Sequence, residues 1–258
     1  MGELQRAQTW LENIYVTTLN RVADVTSNIK QDDAICITAA ATFTSILAYM
    51  GIVRYNRYKN LNLIRAKYPN PDDILNDSEA AHFVYNIVTR KEFPYLSRIA
   101  LELAFFKTFT VPTISKILAS TGEFSDENVA RRAEDTDLVL GEIVETYGRI
   151  QKQLQSNPNT PKKDIEAQYQ RPIDSVHRLN ELHGKYPILN DDFIYTLTLF
   201  VFEPVSWINR YEWRQLDVRE ENAFFKVWYD IGKSMNIVGV PESKEELLKF
   251  KEIYLNVF

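Results

Sequence analysis

Twenty consecutive residues without a charge, AICITAAATFTSILAYMGIV from Ala34 to Val53, constrain this chain more than any other feature. At about 1.5 Å of rise per residue, a helix of that length measures about 30 Å, the thickness of a bilayer's hydrocarbon core. Five alanines and four Ser or Thr residues make the run only moderately apolar, so a buried core helix is the competing reading. The flanks favour the membrane. Arg54, Arg57, Lys59, Arg65 and Lys67 follow the run, interleaved with Tyr55 and Tyr58, whereas Asp32 and Asp33 precede it. Basic residues and tyrosines on one side are what a cytoplasmic membrane boundary carries. The reading is therefore a single-pass anchor: an N-terminal amphipathic helix over 1–33, a transmembrane helix over 34–53, and a cytosolic domain over 54–258.

The rest of the chain reads as helical. Only eight glycines occur in 258 residues, and no regular apolar–polar alternation marks strands. With 45% hydrophobic residues the chain can fill one substantial core or two small ones. A net charge of -5 argues against a general nucleic-acid binder, and the lone Cys36 excludes an internal disulfide. No cleavable signal is expected, since the first thirty residues lack an apolar stretch after a basic start. Residues 1–30 repeat Leu11, Tyr15, Thr18, Val22 and Val25 at helical steps, a face expected to pack on the rest of the protein. Further helices are expected over 78–90, over 96–110 with a buried look around Phe105-Phe106, over PTISKILASTGEF from Pro112, and from Ser125 to about Leu154. His82 reads as structural. Residues 155–170 read as an exposed loop, 217–235 as a helix with Phe224, Phe225, Trp228 and Ile231 inward, and Pro241-Glu242-Ser243 as the start of a last helix with Leu247, Leu248, Phe250, Ile253 and Tyr254 apolar. No P-loop, GxSxG, HExxH or paired zinc-ligand motif occurs, which removes the commonest kinase, hydrolase and metalloprotease readings.

The densest stretch for chemistry is Arg171–Trp213. Ile173, Val176, Asn180 and His183 fall on one helical stripe that stops at Gly184. Asn190-Asp191-Asp192 then offers caps to an apolar run, Phe193–Phe202, which closes on Glu203-Pro204. A histidine at the end of one helix, facing an apolar segment, either ligates a metal or heme iron or sits in the core bonded to a carbonyl. Arg132 and Thr136, four residues apart, share one helix face. Such a pair is either a polar contact set for a bound anion or a solvated arginine beside a packed threonine.

Three segments, R-L-N-E-L-H-G-K-Y from Arg178, N-D-D-F-I-Y-T-L-T-L-F from Asn190 and E-P-V-S-W-I-N-R-Y-E-W-R from Glu203, resemble the rubber-oxygenase (latex-clearing-protein) superfamily. The likeness is to its fungal branch of endoplasmic-reticulum-bound oxygenases, whose type member cleaves a farnesyl side chain in mycophenolic acid biosynthesis. It runs from about Ala34 to Ile237. The resemblance implies an all-α, multi-helix heme-binding bundle behind the N-terminal transmembrane helix, with heme b as cofactor and His183 as its iron ligand. It implies Arg132 and Thr136 as catalytic and cofactor-binding residues, with Arg178 also cofactor-binding. One departure is Asp135, where bacterial relatives can place a distal lysine. The implied activity is oxidative cleavage of a C=C bond in an isoprenoid or lipid-like metabolite by O2, at the endoplasmic reticulum membrane. Phe105, Phe106, Phe193, Phe200 and Trp207 are candidates to line a substrate slot, and ordinary core aromatics otherwise. The competing functions are a heme-dependent hydroxylase or isomerase on the same fold, and a non-catalytic membrane-anchored helical partner protein.

Overall fold

A computed structural model of the chain describes residues 13–24, 31–123 and 127–256. It divides into two compact units, Met1–Lys59 and Asn60–Phe258. Every regular element is helical, and no strand occurs among the described residues.

In the first unit, residues 13–24 form a helix, α1. The rest of the helix read over 1–30 lies outside the described residues. The charge-free run lies within α2 (Gln31–Lys67), 37 residues long. Residues 33–67 are long and apolar enough to cross a membrane, with a mean hydropathy of 1.8 in the most apolar window and none of that window buried. An exposed apolar helix fits a membrane anchor. The four hydroxyl residues do not weaken the span. Thr38, Thr42, Thr44 and Ser45 each donate to the carbonyl four residues back, at Ala34, Thr38, Ala40 and Ala41. A hydroxyl satisfied inside its own helix asks nothing of a hydrocarbon environment.

The second unit is arranged around α10 (Asn190–Tyr211). It packs against α5 (Pro94–Thr108), α11 (Val218–Ser234) and α12 (Lys244–Leu255), while α11 also packs on α3 (Asp73–Asn76) and α4 (Ser78–Ile87). Phe105, Phe200 and Trp228 form a continuous aromatic seam at 4.8 and 4.6 Å between ring centres. Gly232 lets α11 approach α10 closely, since a Cβ there would stand 2.6 Å from a Leu197 methyl. The helix starts follow local chemistry. Asp77 caps α4, Pro94 and Pro112 open α5 and α6 (Pro112–Ser120), and Asp217 with Glu220 forms a capping box on α11. As expected, Phe224, Phe225, Trp228 and Ile231 are all buried.

Several expectations are corrected. The apolar run does not close at Glu203-Pro204: α10 continues through Pro204 to Tyr211, because burial along the helix outweighs one missing backbone bond. The polar stretch 155–170 is mostly helix, with only residues 157–161 between α8 (Thr146–Ser156) and α9 (Lys162–His183). Its lysines, glutamate and glutamines are good helix formers, which a loop reading from polarity overlooks. The helix expected from Ser125 to Leu154 is two, α7 (Val129–Val144) and α8, broken at Glu145; Ser125 and Asp126 lie outside the described residues. Arg149 donates to the carbonyls of Gly141 and Glu142 at the break, so carbonyls at the end of α7 keep partners. On α5 only one stripe, Ser97, Ala100, Ala104 and Thr108, is buried and Phe106 is 74% exposed. On α12, Leu248 and Ile253 are exposed.

After α4 the chain makes a π-helical turn, Val88–Glu92. This turn brings Glu92 to a buried charged cluster. Arg214 donates to both Glu220 oxygens at 2.6 and 2.8 Å and to Glu92 at 3.2 Å, while Asn60 donates to the other Glu92 oxygen at 2.6 Å. The guanidinium also lies over the Phe93 and Trp213 rings. All three charged side chains are nearly inaccessible. Removing the cation would strand two buried carboxylates, so Arg214→Ala is expected to cost about 3–5 kcal/mol in chemical denaturation. For α2, the expected outcome is that the full chain resists alkaline extraction from membranes and needs detergent, whereas a chain starting at Asn60 appears in the soluble fraction.

Candidate functional site

Two helices on one flank of the second unit, α7 and α9, pack on each other and carry the residues singled out in the sequence. On α7, Arg132, Thr136, Val139, Leu140 and Ile143 are withdrawn from solvent to varying degrees at three- and four-residue steps, while Arg131, Asp135 and Leu138 are exposed. On α9, Val176, Leu179 and His183 form the corresponding inward stripe, and Ile173 is 60% exposed. The spacing of the apolar positions thus turns Arg132 and His183 toward the same seam.

Arg132 and Thr136 are bonded to each other. Nη1 of Arg132 donates to Thr136 Oγ1 at 2.9 Å, and that hydroxyl donates to the Arg132 carbonyl at 2.8 Å. Among the described residues no carboxylate pairs with this guanidinium. His183, in the last turn of α9, has its Nδ1 buried with no hydrogen-bond partner among the described residues. Its ring lies 5.3 Å from that of Phe193. Burial pushes the imidazole's pKa down to about 4, and the positive charge of Arg132 adds to the effect. The ring is therefore neutral at physiological pH, the form that donates a lone pair to a metal. A neutral imidazole and a half-buried guanidinium that no carboxylate among the described residues pairs with, on one seam, can serve a metal and a carboxylate respectively.

The remaining residues divide clearly. Arg178 does not join the seam: it is 60% exposed and pairs with Glu181 at 3.0 Å on the opposite side of α9. Five residues before His183 is about 140° around a helix, the wrong face. His177 is also outward, 3.4 Å from Glu181. His82 is partly buried on α4; burial lowers its pKa, and Asp230 and a hydrogen bond to the Val144 backbone oppose the shift. Of the slot aromatics only Phe193 touches the site. Phe105 and Phe200 belong to the core seam, Phe106 faces solvent, and Trp207 packs on Tyr211. The contributions of Asn190 and Asp192 were missed, because N-D-D before an apolar run reads as capping. Leu189 is the actual N-cap, without a side-chain bond, and Asn190 instead exchanges two hydrogen bonds with the Val238 backbone.

No family model and no solved structure matches the chain. Three curated fungal relatives do. It is 32% identical over 201 residues to "ER-bound oxygenase mpaB" of Penicillium roqueforti (strain FM164), covering 74% of this chain and 61% of the relative. It is 31% identical over 200 residues to "ER-bound oxygenase mpaB'" of Penicillium brevicompactum, covering 74% and 43%, and likewise 31% identical to a second protein of that organism, "ER-bound oxygenase mpaB", covering 74% and 46%. The chain thus spans about half the length of these relatives.

The depressed His183 pKa carries a pH signature. An unfolded chain protonates this imidazole near 6.5, whereas the folded protein resists until about 4. Its contribution is fully present above pH ~6.5 and is lost progressively as pH falls toward ~4. Melting temperatures across that window should fall more steeply for wild type than for His183→Gln.

Proposed function

We propose that this chain, which is similar to fungal ER-bound oxygenases, is a heme b-dependent oxygenase that cleaves a C=C bond of an isoprenoid or lipid-like metabolite with O2. The observation that carries the reading is the neutral, buried imidazole of His183 beside the cation of Arg132, the ring nitrogen without a hydrogen-bond partner and the guanidinium without a carboxylate among the described residues. No group of three or more His, Cys, Asp or Glu side chains suited to a metal ion occurs among the described residues. A lone histidine suits a metal whose other ligands come with it, and in heme the macrocycle supplies four of them.

The roles follow from the side chains. His183 would hold the iron, kept unprotonated by burial and by Arg132. Arg132 would hold a propionate carboxylate through its planar fork, and Thr136, bonded to that guanidinium, would fix its orientation and present a hydroxyl at the same seam. Bound heme would supply the redox chemistry of O2, whose two atoms end in the two carbonyl groups formed when the double bond breaks. Phe193 would help keep the imidazole in a dry, apolar surround. The name "ER-bound" of the relatives, together with the exposed apolar helix α2, supports a single-pass anchor in the endoplasmic reticulum with the catalytic unit cytosolic. Such an anchor would suit a hydrophobic substrate drawn from the bilayer.

Reconstitution with hemin tests the assignment. The full-length protein should develop a Soret band; His183→Ala should lose most of the bound heme, and His177→Ala and His82→Ala should keep it. Arg132→Ala should weaken heme retention and turnover together, Arg132→Lys should restore part of both, and Arg131→Ala should change neither. A protein without a Soret band after added heme would leave the non-catalytic partner reading in place.

A further inference from the structure

The first turn of α10 is tied down from three directions, and the ring it presents is the one that touches His183. Asp192 is 2% exposed, and its Oδ1 accepts from Tyr254 O–H of α12 at 2.5 Å and from Thr113 O–H of α6 at 3.0 Å. The third tie is the two-way bond of Asn190 with Val238. The next residue, Phe193, lies against the imidazole. Asp192's other oxygen, Oδ2, is buried without a partner among the described residues, and Asp192 takes part in no ion pair there. A carboxylate buried with one oxygen unused is costly, and an apolar residue would fill the space at less expense. What Asp192 gives in return is directional: one acceptor atom joins three helices at the residue before Phe193. Tyr254 is itself held, stacked on Tyr195 at 4.5 Å and 16° between planes.

We propose that Asp192, acting through Tyr254 and Thr113, is a positioning residue for the ligand histidine: the bonds it accepts fix the first turn of α10 and so the placement of Phe193 against the His183 ring. The inference rests on the heme reading above. Supporting groups behind a metal ligand are usually worth roughly 10- to 100-fold in retention of the metal group.

The test uses full-length protein loaded with heme, with two readouts: the rate of heme loss to a scavenging apoprotein, and the g-values of the ferric electron paramagnetic resonance spectrum, which report the axial ligand's placement. Asp192→Ala and Tyr254→Phe should lose heme roughly 10- to 100-fold faster and shift the g-values. Asp192→Asn keeps an acceptor oxygen and should restore both toward wild type. Lys251→Ala, which removes another α10–α12 tie at Glu203, should lower stability without moving the g-values. If Asp192→Ala does not fold, Tyr254→Phe decides. Wild-type g-values and wild-type heme loss in the variants, whatever their melting temperatures, would overturn the positioning role and leave the heme assignment standing. A wild-type chain that takes up no heme would overturn both.

Discussion

Burying α10 on nearly every side is the constraint from which the second unit follows. Polar groups on its buried face need partners, from within the helix or from a neighbour. Thr198 donates back to Tyr195 on the same helix, Glu203 takes Lys107 and Lys251, and Asp192 takes Thr113 and Tyr254. The partners of Glu203 and Asp192 come from α5, α6 and α12, which are therefore held in place by hydrogen bonds as well as by packing. The Phe105–Phe200–Trp228 seam adds apolar burial on the same helix. Pro204 sits inside this enclosure because the surrounding contacts outweigh what the ring removes.

The Arg214 cluster does comparable work at a different place. It ties the π turn, the start of α11 and the end of α2 through one guanidinium and two carboxylates. Buried ion clusters contribute less to net stability than their geometry suggests, since each charge loses its hydration. Their consequence is specificity: a shifted register at Val88–Glu92 would leave Arg214 with one carboxylate too few. The five-residue π turn is the local distortion that lets Glu92 reach it.

What could be read from the sequence depended on whether the signal was periodic. The periodic inward face of α11 could be read without neighbours, as could the Ala34–Val53 run by its length without a charge. The first half of α9 carries polar side chains on both exposed and seam-facing positions, so its helix had no apolar stripe to announce it. The break at Glu145 has no proline or glycine at the joint, and its satisfaction by Arg149 is a through-space fact. At the candidate site, the i, i+4 relation of Arg132 and Thr136 was legible, whereas their nearness to His183 depends on how α7 lies on α9. Arg178 shows the opposite limit: it shares a motif with His183, yet helical rotation turns it outward.

Arg132 and His183 also constrain each other's chemistry. A guanidinium near an imidazole opposes protonation of the ring, so the donor lone pair is preserved well into acid. The same cation, with only Thr136 bonded to it among the described residues, is left with charge to share. A metal alone would satisfy the histidine and leave the arginine as it is; an anion alone would satisfy the arginine and leave the ring nitrogen bare. The proposed heme b would bring a metal centre and a carboxylate together and so satisfy both. Burial holds the imidazole neutral, the α7–α9 packing sets Arg132 beside it, and the first turn of α10 puts Phe193 against its ring, so the site's electrostatics and the fold's central helix act on the same side chain.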